Sequence, residues 1–203
     1  MFLEYLEEVL YYVFICVKFI LVNGMPFNIV ERRELLVALT NEVLSYFKEI
    51  IGTKREMTLG KVSSLMIKRY ALAVGESNPL YFDCEFAQAH GYSDIIAPPN
   101  LIASIMDWSI GEAESELNED GLSRDQFMLG KEFPGLRIMG GGEEKYFYKA
   151  VTAGSIIKLQ SEITDSFSKQ GRKGNIGFVI FENTYFNQDD EKVCVCKRTM
   201  IAR

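Results

Sequence analysis

The chain has 203 residues, of which 48% are apolar, and carries a formal net charge of −6. That length is enough to bury a full core, and the acidic balance excludes the basic surface on which nucleic-acid binding depends. The composition predicts a globular protein with no nucleic acid among its partners. The four cysteines, Cys16, Cys84, Cys194 and Cys196, make neither a disulfide framework nor a metal set, because Cys194 and Cys196 on one strand would put only two thiols on one face. They read as small buried thiols in a reducing cytoplasm.

The first 27 residues form an apolar N-terminal extension. Its apolar run, Val9 to Val17 and Phe19 to Val22 broken by Lys18, is shorter than the ~20 residues a membrane-spanning helix needs. Glu4, Glu7 and Glu8 stand where a secretory signal would carry positive charge. Three readings stay open: a helix packed on the domain or on a partner, an upstream extension with the natural start at Met25, and a segment lying on a membrane surface. Membrane insertion is not expected.

Residues 28–203 read as a single domain. Leu35, Leu36, Leu39, Val43, Leu44, Phe47, Ile50 and Ile51 recur at helical spacing and predict an amphipathic helix ended by Gly52. A second helix starts near Lys61 to Ser63, capped by Ser63 or Ser64, and stops at Gly75. Asn78-Pro79 predicts a turn, and Asp83 an N-cap for a short helix through Ala89 that Gly91 terminates. Ile95-Ile96-Ala97-Pro98-Pro99-Asn100 leads into an apolar segment, Leu101 to Trp108, expected as a buried helix with Pro99 in its first turn. Gly111 to Arg137 is acidic and without pattern, a surface excursion closed by Gly140-Gly141-Gly142.

The remainder is rich in β-branched and aromatic residues. Glu144 to Val151, Ser155 to Phe167, Gly174 to Asn187 and Lys192 to Ala202 predict consecutive antiparallel strands. Gly174 to Phe181 is apolar on both alternating faces, as a central strand covered on both sides would be. Helices followed by strands indicate an α+β class.

Five pieces of sequence then stand in a telling order: Ala73-Val74-Gly75-Glu76-Ser77-Asn78-Pro79-Leu80-Tyr81-Phe82-Asp83, Ile95-Ile96-Ala97-Pro98-Pro99, Lys149-Ala150-Val151-Thr152-Ala153-Gly154-Ser155, Gly171-Arg172-Lys173-Gly174 and Asn187-Gln188. From about Leu44 to Arg203 the chain resembles the MaoC-like hydratase/dehydratase family, and within it the dehydratase domain named for its likeness to fungal fatty-acid synthase. The resemblance implies a hotdog fold, an antiparallel β-sheet wrapped around a buried central helix, and acyl-CoA or another acyl thioester as ligand.

Hydration of an enoyl thioester needs a base for water, a proton donor to carbon, and N–H groups for the charge that grows on the thioester oxygen. In the catalytic members an Asp and a His flank the Asn-Pro turn and handle the water proton, while the N-terminus of the central helix holds the oxygen. Here Glu76 and Tyr81 occupy those two positions, and Asn78, Ala97, Pro98, Pro99 and Asn100 retain the turn and the helix start. The lone histidine, His90, lies beyond the short helix and reads as a helix-end residue.

The resemblance is nearest to the degenerate, non-catalytic subunits of two-subunit hydratases. It implies an acyl-thioester-binding subunit whose catalytic Asp and His come from a second hotdog subunit, with the pair forming a homodimer or a heterodimer. Two alternatives stay open: a self-sufficient enoyl-CoA hydratase using Glu76, and a hotdog thioesterase or acyl-binding module. The thioesterase would need a carboxylate on the central helix, where only Asp107 is available. Lys131, Arg137, Arg172 and Lys173 are candidates for the phosphates of coenzyme A. No metal, flavin, nicotinamide or phosphate-loop pattern is present, so no cofactor is expected.

Overall fold

The computed structural model describes residues 41–42, 44–104, 113–117, 121, 123, 138–171 and 174–202. After a helical segment ending at residue 49 come strand β1 (Lys54–Lys61), helix α1 (Ser64–Ala73), a 3-10 turn (Pro79–Tyr81), helix α2 (Cys84–Ala89) and the described part of a helix α3 (Asn100–Ser104). Strands β2 (Ile138–Phe147), β3 (Ile156–Gly171), β4 (Gly174–Phe186) and β5 (Lys192–Ala202) follow. The five strands make one sheet in the order β1-β3-β4-β5-β2, and every neighbouring pair is antiparallel.

Because β4 lies at the centre of that order, its apolar residues meet cover from other elements. Val179 is fully buried and packs with Phe47, Ile163 and Ala202 under the helical segment that precedes β1. A larger cluster forms where Leu101, Ile102 and Ala103 of α3 lie among Ile157, Leu159, Tyr185, Cys194 and Cys196 of β3, β4 and β5. Burial of each such Leu or Ile stabilises the fold by roughly 1.5–3 kcal/mol. Cys194 and Cys196 are buried as expected, whereas Cys84 is exposed, since it opens α2 on the protein surface.

The local signals mark the ends of elements well. Ser63 caps α1, its side chain accepting from Met66 N at 3.1 Å, and Asp83 caps α2 by accepting from Phe86 N at 3.0 Å. Gly75 follows α1 at φ +75°, a conformation that L side chains rarely adopt. Two features depart from the expected pattern. β1 was not anticipated, because only Met57, Leu59 and Gly60 of its residues are even half-buried; it is an edge strand held by pairing with β3. The three glycines at 140–142 do not close a loop but lie inside β2, at an irregularity in its pairing with β5. A Cβ on Gly141 would stand 2.9 Å from both Ile201 Cγ1 and Thr199 Cγ2, so a side chain there would displace its neighbours.

Of the consecutive strands, β3 and β4 are neighbours in the sheet, as are β4 and β5. Gly171 at the end of β3 pairs with Gly174 at the start of β4, and β4 turns into β5 around Asn187, whose side-chain oxygen accepts from Asp189 N at 3.0 Å and Glu191 N at 2.9 Å. β2 instead pairs with β5, and the chain returns to β3 through residues 148–155, with Tyr148 N donating to Val193 O at 3.0 Å. The apolar extension over residues 1–27, the start of the helix expected from Asn28, and most of the excursion from Gly111 lie outside the described residues. Within that excursion a 3-10 turn, Glu114–Glu116, and a bridge between Leu117 and Ser123 are described.

Candidate functional site

The turn that carries Glu76 and Tyr81 is built from backbone hydrogen bonds. Glu76 N donates to Ala71 O at 2.9 Å, which folds the residue after Gly75 back onto the last turn of α1. Asn78 then accepts at its side-chain oxygen from Leu80 N at 3.1 Å, while Tyr81 N donates to Asn78 O at 3.0 Å. Pro79 fits the first position of this 3-10 turn, where an N–H would have no internal partner.

Three chain segments meet at this turn. Ile96 N donates to Leu80 O at 2.9 Å, Ala97 N to Val151 O at 2.7 Å, and Ala153 N to Ile95 O at 2.9 Å. The Glu76–Tyr81 turn, the run into the central helix and the segment before β3 are thereby tied side by side. Ala97 and Pro98 are buried, Pro99 and Asn100 are exposed, and the helix begins at Asn100, one residue after the Pro99 expected in its first turn. Leu101 N donates to Pro98 O at 2.9 Å and closes the start of the helix.

The two side chains that flank the Asn78-Pro79 turn differ sharply in environment. Tyr81 is 9% exposed and belongs to the main core cluster with Ile95, Ile96 and Leu101, whereas Glu76 is exposed. Burial raises the Tyr81 phenol above its ordinary value of 10.0, and the Glu76 carboxylate pushes it further the same way. The phenol is therefore protonated at neutral pH and can donate a hydrogen bond but cannot serve as a base. His90 is the C-cap of α2; its Nδ1 lies 2.7 Å from Phe86 O and its ring packs on Phe86, as a helix-end residue would.

One constellation escaped the sequence reading. Arg198 on β5 is 8% exposed and donates from Nη2 to Ala103 O at 3.1 Å, and from Nε to Glu143 Oε1 at 2.5 Å. Lys145 pairs with the other oxygen of Glu143 at 2.6 Å. Burial alone would raise the Glu143 carboxyl, but Lys145 and Arg198 outweigh it and hold the group below its ordinary value. Nothing local announces this network, since Arg198 is 55 residues from Glu143 and 95 from Ala103. Beside it, burial pushes the Cys194 thiol up to about 11 and raises the Tyr185 phenol and Cys196 thiol. These are groups kept neutral for packing, not nucleophiles.

Lys131, Arg137 and Asp107 lie outside the described residues, as do the side chains of Arg172 and Lys173. Among the described residues no group of three His, Cys, Asp or Glu side chains could hold a metal ion, and no helix is long and apolar enough to cross a membrane.

An antiparallel five-stranded sheet with a buried helix against it, reached through a tight turn, defines an α+β hotdog protein. Residues 49–196 match the family described as "FAS1-like, dehydratase domain region", and the chain belongs to that MaoC-like family. It is 28% identical over 137 residues to a UPF0336 protein of Saccharopolyspora erythraea, covering 68% of this chain and 78% of that one. A UPF0336 protein of Streptomyces griseus is 33% identical over 97 residues, 48% of this chain and 57% of the relative. A probable enoyl-CoA hydratase alpha subunit of Thermomonospora curvata is 26% identical over 132 residues, 63% of this chain and 40% of that protein. The chain thus spans little more than half the length of some relatives and less than half of the last. Among solved structures, the fold resembles the ChsH1-ChsH2 complex of Mycobacterium tuberculosis, with TM-score 0.57 at 19% identity over 81% of this chain and 91% of that one. It also resembles the HadBC (3R-hydroxyacyl-ACP dehydratase) complex of the same organism, with TM-score 0.55 at 19% identity over 75% and 96%.

Proposed function

We propose that this chain is the acyl-thioester-binding subunit of an enoyl-thioester hydratase or dehydratase whose working acid–base pair comes from a second hotdog subunit. One observation carries this reading. Where the catalytic members place a histidine, this chain has Tyr81, buried and with its phenol held in the protonated form. A side chain that cannot take a proton at neutral pH cannot share the water-activating role with Glu76. The backbone frame around it is intact, since Asn78, Ala97 and Pro98 are tied into one hydrogen-bonded unit.

Two neighbours in fold, ChsH1-ChsH2 and HadBC, are complexes of two differently named proteins, which supports a second hotdog subunit here. Ala97, Pro98, Pro99 and Asn100 would then line the thioester at the helix start. A second reading rests on the proximity of the Glu76 carboxylate to Tyr81, felt in the raised phenol. In that reading Glu76 is the base of a self-sufficient hydratase and Tyr81 its hydrogen-bonding partner.

The assay that decides is hydration of crotonyl-CoA by the isolated chain. The binding-subunit reading expects no turnover above buffer, together with saturable binding of the thioester. General acid–base groups contribute ~100-fold to 10,000-fold, so turnover abolished by Glu76→Gln in a folded protein would install Glu76 as the base instead.

A further inference from the structure

We propose that the face of the sheet beneath α3 carries a polar pocket for a carboxylate at the far end of the acyl group, so that the preferred thioester is one of a short dicarboxylic acid. Strand alternation puts the side chains of this pocket on one face. Tyr185 belongs to the core cluster of Ile102 and Ala103, Asn183 lies two residues before it on β4 and opposite Cys196 of β5, and Arg198 follows Cys196 by two. Glu143 and Lys145 of β2 stand opposite Arg198 and Cys196 and complete the group.

Two of these side chains are buried and unsatisfied. Asn183 is 8% exposed and Tyr185 2%, and neither side chain has a hydrogen-bond partner among the described residues. Among those residues only Ser166 Oγ is both unpartnered and sealed from solvent, so the Asn183 amide and the Tyr185 hydroxyl open on accessible space. The guanidinium adds a third free donor: Nε and Nη2 are engaged by Glu143 and Ala103, while Nη1 has no partner among the described residues. Charge selects the ligand. Arg198 and Lys145 are two cations against the single carboxylate of Glu143, and their side chains are only 9% and 17% exposed, so one positive charge is left over away from water. A water molecule would satisfy the amide and the phenol but leave that charge uncompensated; a carboxylate answers both. Burial holds the phenol in its protonated, donating form. Position connects the pocket with the thioester. Arg198 is bonded to Ala103 O, about 4.5 Å along the axis from the helix start at Asn100. An acyl group that enters beside Pro98 and runs along α3 meets these donors after a few carbons.

This inference rests on the thioester-binding reading, and the test separates the two. Binding of succinyl-CoA and adipyl-CoA to the full-length protein is compared with that of butyryl-CoA and hexanoyl-CoA, which match them in chain length and lack the terminal charge. The pocket expects one of the diacid thioesters to bind about tenfold or more tighter than its neutral match. Asn183→Leu and Tyr185→Phe should each cut that ratio by about tenfold. Both should unfold at or above the wild-type temperature, because an apolar group replaces a buried polar one without a partner. Lys145→Gln, at the sheet edge, should also lower the ratio without touching the core. Free succinate should bind far more weakly than succinyl-CoA; equal binding would make this a site for small anions and overturn the acyl pocket. Neutral thioesters that bind as well as the diacids, or a preference that survives all three substitutions, would equally overturn it while leaving thioester binding intact. Failure to bind any of the four thioesters would overturn the underlying reading.

Discussion

Arg198 reaches across from β5 to donate a hydrogen bond to the main-chain oxygen of Ala103, 3.1 Å away, and so pins the buried helix to the sheet with a charged side chain. The guanidinium can lie in so dry a place because Glu143 neutralises it. Arg198→Met should therefore destabilise the protein by about 2–3 kcal/mol, below the full cost of breaking a buried pair because Lys145 still accompanies Glu143. Urea unfolding checks this, and Arg198→Lys should recover only part of the loss, since a lysine lacks the forked donors that reach both partners.

The same network has an acid limit. Glu143 is held below its ordinary carboxyl value in the folded protein, so its contribution is fully present above the unfolded value of 4.5 and is lost as pH falls through the lower folded value. The stability difference between the wild type and Glu143→Gln should accordingly hold steady above pH 4.5 and shrink below it. A gap that widens on acidification would contradict the pairing.

Phe47 is fully buried between Ile163, Val179 and Ala202, in a cluster separate from the one beneath α3. Phe47→Ala should cost about 3–5 kcal/mol, the range for large-to-small changes in a core. A chain beginning at Met25 retains Phe47 and should unfold cooperatively. Thermal unfolding of the two variants, side by side, tests whether the core begins with this helix or requires the first residues.

On either side of the Asn78-Pro79 turn, Tyr81→Phe and Glu76→Ala should each change hydration by a reconstituted complex less than about tenfold if the acid–base pair belongs to the partner. Glu76→Gln should also lower the Tyr81 phenol, because the carboxylate is the second cause of its rise after burial. The tyrosine titration of the variant, compared with that of Tyr81→Phe, measures this shift. Ala97→Leu should weaken crotonyl-CoA binding by placing bulk beside the helix start.

The elements that carry the candidate site were legible because their signals are local. Ser63, Gly75, Asn78, Pro79, Asp83 and Gly91 act within a few residues of themselves, through caps, positive φ angles and a ring that removes an N–H. The order of the five motif pieces was enough for the fold and the family. Other features depended on distant chain. β1 exists because Lys54 to Lys61 pair with β3, about a hundred residues on, and its own residues are too polar to announce a strand. The glycines at 140–142 look like a loop until Ile201 and Thr199 occupy the space where a Cβ would go.

The sequence by itself determined the turn chemistry, the α+β class and the identity of the two residues, Glu76 and Tyr81, that flank the Asn78-Pro79 turn, since each depends on residue identity or short-range geometry. Only the tertiary structure decided that Tyr81 is buried while Glu76 is exposed, and that Arg198 meets Ala103 and Glu143. Burial and charge pairing arise when segments far apart in the chain are brought together. No local pattern encodes that proximity, and the chemistry of this site depends on it.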